Sequence, residues 1–169
     1  MEKGTYALVM SLESEVAIVV GRLAIKGKTR AGSELTFPPG YYVYFGSAHG
    51  GLSARVSRHL KREKRLHWHI DYLTRFADIV EVWYALEDGE PIDREEKLEC
   101  LWCQVTQSMP QGQLHFPGFG SSDCRCAAHL IHFPSPPSFD LFCQLLKGRG
   151  NGAQKASPLD FKRPSEIEC

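Results

Sequence analysis

The chain has 169 residues, balances 20 Lys+Arg against 20 Asp+Glu, and is 43% hydrophobic and 24% charged. These values are those of an ordinary soluble globular chain and exclude a wholly disordered, collagenous or coiled-coil protein. No apolar run approaches the roughly 20 residues needed to cross a bilayer, and Met1 leads straight into a strand-like stretch, so the expectation is a cytoplasmic protein without a membrane partner.

Thr5 to Leu12 reads as a first strand and Val16 to Ile25 as a second, rich in Val and Ile, with a tight turn at Ser14-Glu15. Gly27 to Gly32 reads as polar loop, and Pro38-Pro39-Gly40 as a break. Tyr41 to Ser47 is a third strand of aromatic and β-branched residues. A helix is expected from Leu52 to Lys64, with Leu52, Val56 and Leu60 as its apolar stripe. Arg55, Arg58, His59 and Arg62 share another face of it. Trp68 to Phe76 reads as a short helix and Ile79 to Leu86 as a strand. Asp93 and Glu96 suit the cap of a helix that runs to Ser108. Pro110 to Asp123 is loop, and Ala128 to Phe133 a last strand. After Pro134-Ser-Pro-Pro137 one short helix fits Phe139 to Lys147, and the polar remainder reads as a flexible tail. The expected division is a domain over 1–133 and an extension over 134–169.

The zero net charge hides segregation. Residues 1–77 carry a net +6, residues 78–99 a net −7 and residues 100–169 a net +1. The densest basic stretch is Arg55 to Arg65, with six Lys+Arg and one acid. Its plain reading is a solvated helix face. Its functional reading is a phosphate-facing patch of Arg58, Lys61, Arg62 and Arg65.

Six cysteines are present, in a chain long enough to fold without disulfide staples. Cys100-x2-Cys103, then Cys124-x-Cys126-x2-His129, resembles a metal-ligand spacing, although Cys100 and Cys103 would also share one buried helix face. Cys100, Cys124, Cys126 and His129 are candidate zinc ligands.

Several polar side chains stand on elements that could converge: Tyr6, Tyr44, Arg55, His59 and Glu99. Phosphodiester hydrolysis needs a base for water, positive charge over the phosphate and a divalent cation held by oxygen. A tyrosine could move the proton if its neighbours lower its pKa, an arginine matches phosphate oxygens, and one glutamate can hold Mg²⁺ with its waters.

At these residues the sequence resembles the GIY-YIG endonuclease superfamily, and most closely its small stand-alone Uri-type subfamily. Gly4-Thr5-Tyr6 stands at the GIY position and Tyr44-Phe45-Gly46-Ser47-Ala48 at the YIG position. Arg55 and His59 match the first helix, and Glu99 the helix-borne metal ligand. The segments Gly40 to Leu60, His67 to Leu73, and Gly118 to Cys126 with His129-Leu130 look like subfamily signatures. The resemblance covers residues 4–133. It implies an α+β fold, a small central antiparallel sheet flanked by helices; this sequence departs from the family pattern by an extra strand, Val16 to Ile25, between the two motif strands.

The resemblance also implies roles. Tyr6 would be the general base or its relay, and Tyr44 would position water or phosphate. Arg55 would stabilise the pentavalent phosphate, with His59 assisting by a bond to Tyr6. Glu99 would hold Mg²⁺ or Mn²⁺. His67, His69 and Asp71 are supporting candidates that the resemblance does not assign; the plain reading is that His69 and Asp71 cap or brace the site. The expected function is a metal-dependent DNA endonuclease without a small-molecule cofactor. The alternatives are a catalytically silent DNA-binding module and a zinc-stabilised structural or partner-binding domain. The sequence sets no oligomeric state.

Overall fold

The computed structural model describes residues 2–21, 23–25, 28–30, 32–87, 97–148 and 153–161. In chain order the first elements are β1 (Gly4–Leu12), β2 (Val16–Val20), β3 (Leu23–Ile25), β4 (Lys28–Arg30), β5 (Ser33–Phe37) and β6 (Gly40–Ala48). Then come α1 (Leu52–Leu60), α2 (His69–Leu73), β7 (Asp78–Leu86), α3 (Leu98–Gln107), β8 (Leu130–Phe133), α4 (Phe139–Lys147) and β9 (Gln154–Ala156), closed by a 3-10 turn at Pro158–Phe161.

The fold is α+β. Five antiparallel strands lie in the order β8-β6-β1-β7-β9 with helices on both faces. β1 is central because eight of its nine residues are buried, Thr5 among them. Its alternation divides the core in two. Tyr6, Leu8, Met10 and Leu12 face one layer, with Val56 of α1, Ile70 and Leu73 of α2, and Phe116 and Phe119. Ala7 and Val9 face the other, with Trp102 and Val105 of α3 and Phe142 and Leu146 of α4.

The extra strand between the motif strands is present in a modified form. The Val16 to Ile25 stretch is two strands, and each has a hairpin partner outside the main sheet: β2 pairs β5 and β3 pairs β4. β4 therefore replaces the loop expected over Gly27 to Gly32. In β2 the inward side chains are Ile18 and Val20, and with Phe37 of β5 they close over the first core layer.

α1 ends at Leu60, four residues before Lys64. Lys61 turns to extended backbone, and Lys64 Nζ folds back to donate to the His59 carbonyl at 2.7 Å, satisfying a helix-end acceptor. α3 opens at Leu98, after Lys97 as N-cap. The caps expected at Asp93 and Glu96 lie outside the described residues.

The tail expected to be flexible after Lys147 belongs to the fold over Ala153–Phe161. β9 pairs with β7, Ser57 Oγ donates to the Phe161 carbonyl, and the Phe161 ring meets Tyr84 edge-on at 6.0 Å. α4 stacks Phe142 on Trp83 at 4.7 Å and edge-on to Trp102 at 5.3 Å. Polar composition misled here because a three-residue edge strand needs only backbone pairing. Among the described residues no helix is long and apolar enough to cross a membrane.

Candidate functional site

β8 pairs with β6 only over Tyr41–Tyr44. Beyond that point only the Phe45 amide is covered, by the His129 carbonyl at 3.1 Å. The rest of β6, Gly46 to Ala48, therefore has no strand on that side among the described residues, and side chains from both faces of the sheet meet there. They form a cleft of about 400 Å³ that Tyr6, Tyr44, Arg55 and Glu99 all line. Four elements thus bring four of the expected site residues to one opening.

Tyr6 stands opposite Gly46 in the β1–β6 register. A Cβ on Gly46 would lie 2.7 Å from the Tyr6 hydroxyl, so only glycine lets the ring lie flat there. The hydroxyl then reaches His59 Nε2 at 2.8 Å, a buried bond across 53 residues. Gly120, at φ +72°, plays the same part for Tyr44, whose Cε2 would lie 2.7 Å from a Cβ there.

Electrostatics decide the direction of the Tyr6–His59 bond. Burial pushes the Tyr6 hydroxyl well above its ordinary value, Tyr44 adds to the rise and Arg55 opposes it. Burial likewise raises Tyr44. Burial lowers His59 below the ordinary histidine value, although Asp71 pulls the other way. Both partners are therefore neutral, and the Asp71 carboxylate on the Nδ1 side of His59 favours the tautomer protonated there, which leaves Nε2 to accept from the phenol. This corrects the expectation of a tyrosine activated by a lowered pKa: no neighbour outweighs burial.

Asp71 anchors the other side of His59, its Oδ1 3.7 Å from Nδ1. The Asp71 carboxylate is fully buried. It accepts both arms of Arg58 at 2.9 Å and the backbone amides of His67 at 2.9 Å and Trp68 at 3.0 Å. Burial alone would raise its pKa, but the nearby His59 ring and the hydrogen bonds from Arg58 and the two amides outweigh it and hold the carboxyl well below the usual range. Lys64 lies 4.0 Å away, and burial brings its ammonium down to about 8.

The expected phosphate-binding row changes accordingly. Arg58 also donates to the Arg65 carbonyl, so its guanidinium is engaged inside the protein. Arg62 is tied to the Arg75 carbonyl and to Asp78. Lys61 and Arg65 are exposed. Arg55 is the cation of α1 that lines the cleft. Its guanidinium carbon lies 4.3 Å from the Trp68 ring centre, and that of Arg58 lies 4.2 Å from it. One indole thus orients two arginines, a contact worth about 0.5–2 kcal/mol for each. His67 lines the cleft, and His69 Nδ1 accepts from the Gly120 amide at 2.9 Å, tying α2 to the facing loop.

Glu99 is 6% exposed on the first turn of α3, and Ser47 Oγ donates to its Oε1 at 3.4 Å. One buried carboxylate facing a polar cleft fits Mg²⁺ or Mn²⁺, which keeps most of its waters. Trp68, Ser47, His49, Ser122 and Asp123 also line the opening, and sequence reasoning assigned none of them a role. All five lie inside or beside the signature segments, and that was the available signal.

Behind Glu99, one ligand atom each from Cys100, Cys124, Cys126 and His129 lie within 4.8 Å of one another, a group that could hold a metal ion. Cys103 stays outside the group: its thiol donates to the Ala128 carbonyl at 3.1 Å, and burial pushes it up to about 12.

A family profile matches residues 5–149, and the chain belongs to that family, described as domain of unknown function DUF123. No curated protein and no solved structure matches the chain.

Proposed function

We propose that the cleft is the active site of a metal-dependent endonuclease that hydrolyses phosphodiester bonds in DNA, as the GIY-YIG resemblance implies. The observation that carries this reading is the buried Tyr6–His59 bond, beneath a cleft also lined by Arg55 and Glu99. A neutral tyrosine is a poor base alone. With a neutral imidazole at 2.8 Å, Tyr6 accepts a proton from the attacking water while its own proton passes to His59 Nε2. The imidazolium that forms faces Asp71, which remains an anion.

Arg55 places a planar cation over the phosphate oxygens, where charge grows in the transition state. Tyr44, neutral for the same reason as Tyr6, orients water or phosphate by hydrogen bonding. Glu99, backed by Ser47, would hold the divalent cation. When bound, that ion polarises the phosphate and offsets its charge.

The test is incubation with supercoiled, branched and single-stranded DNA plus Mg²⁺ or Mn²⁺. The wild-type chain is expected to cleave at least one of them, and Arg55→Ala and Glu99→Ala to lose that activity. Equal behaviour of all three proteins, or salt-sensitive binding without cleavage, would overturn the reading.

A further inference from the structure

We propose that Cys100, Cys124, Cys126 and His129 hold a structural zinc ion that pins the first turn of α3 to the loop preceding β8. The proposal stands apart from the nuclease reading, because it concerns ligand geometry and the fold.

The atoms are nearly in place. Cys100 Sγ lies 3.5 Å and Cys124 Sγ 3.3 Å from the same nitrogen, His129 Nε2. A tetrahedral zinc with bonds of about 2.3 Å to sulfur and about 2.0 Å to nitrogen sets such edges at about 3.5 Å. All four ligand atoms fall within 4.8 Å, too close to enclose an iron–sulfur cube. The Cys126 amide also donates to Cys124 Sγ at 3.4 Å, the kind of backbone bond that orients a thiolate ligand.

Three thiolates and one imidazole fill a tetrahedron and leave no open position, which makes the site structural. The cysteines of the group are free thiols, and Cys124 and Cys126 stand on a loop without helix or strand. Three thiols and an imidazole converging this closely supply the soft ligand set that zinc takes.

The site has a definite mechanical position. Cys100 directly follows Glu99. His129 lines the cleft, and its carbonyl holds the Phe45 amide of β6. The Lys97–Asp123 ion pair, at 3.1 Å, spans the same two segments from outside. A zinc here would therefore fix the distance between Glu99 and the cleft wall formed by Gly120, Ser122 and Asp123.

Zinc in the full chain, purified without added metal, is measured by mass spectrometry. About one zinc per chain is expected, with Cys124→Ser and His129→Gln losing it and Cys143→Ser keeping it. Because the ligand variants can fail to fold, the wild-type chain is also stripped with chelator and titrated with Co²⁺. Saturation at about one equivalent is expected, with thiolate-to-cobalt charge-transfer absorption and recovery of the thermal midpoint that chelation lowered. A purified chain holding no zinc or holding iron, or a stripped chain that binds Co²⁺ without a thiolate band, would overturn the proposal. Neither readout depends on DNA cleavage.

Discussion

The Tyr6 hydroxyl and His59 Nε2 lie 2.8 Å apart, buried beneath the cleft, brought together by a strand and a helix that begin 48 residues apart. Each is held in its neutral form by burial. The two behave as one unit, so their removal should not be additive. Tyr6→Phe and His59→Gln are each expected to lower DNA cleavage by about 10²–10⁴-fold, and the double variant little further. Single-turnover rates checked against circular dichroism would show this. Additive losses would separate the roles of the two residues.

Gly46→Ala tests the proposed relay without substituting either partner. The new methyl would press on the Tyr6 hydroxyl from 2.7 Å, so the ring must tilt away from His59. The expected result is a loss of cleavage larger than the loss of stability, read from rate and urea midpoint on one preparation. A variant as active as wild type would show that the close approach is not required.

Asp71→Ala should be among the most damaging polar substitutions. It would leave Arg58, His59 and two backbone amides facing an empty buried site, a situation that costs about 3–5 kcal/mol. Equilibrium urea unfolding measures it. Asp71 is also a source of acid sensitivity. Its carboxyl titrates in the fold well below the ordinary value, so below about pH 4 the unfolded chain binds the extra proton. The stability it contributes is complete above that pH and is lost as pH falls toward the depressed value. Asp71→Asn should flatten that limb.

Buried histidines act one step higher in pH. His59 and His132 both have lowered values, burial being the largest cause in each. Between their lowered values and about 6.5 the unfolded chain binds protons that the fold refuses, so stability should rise with pH across that window. Cleavage should persist somewhat below pH 6.5, because His59 is still neutral there. A thermal midpoint that does not change between pH 5 and 7 would contradict this.

The C-terminal segment should be indispensable. Ending the chain at Phe133 would uncover Trp83 and Trp102, both fully buried now. Phe142→Ala alone should cost about 3–5 kcal/mol. Truncation after Phe133 should abolish cooperative thermal unfolding, and retention of a sharp transition would show the first 133 residues to be self-sufficient.

The central sheet was legible because its strands carry long runs of apolar and β-branched residues: Thr5 to Leu12, Tyr41 to Ser47 and Ile79 to Leu86 all appear as strands. β5 and β9 were not, since Ser33–Phe37 and Gln154–Ala156 owe their extended form to a backbone partner rather than to composition. The site divides similarly. Tyr6, Tyr44, Arg55, His59 and Glu99 could be read from motif order. The internal use of Arg58 could not, because it depends on Asp71, thirteen residues on, turning its carboxylate back under α1. Nor could the raised Tyr6 value, which follows from burial that only the packed fold creates.

Of the three tryptophans, Trp83 and Trp102 are sealed in the core, while Trp68 is half-buried at the cleft against Arg55. An anion that draws Arg55 toward itself must change what that indole sees. Emission from the other two stays constant as long as the core does. Anion binding in the cleft should therefore be readable, without a label, as a change in Trp68 emission over a constant background from the other two.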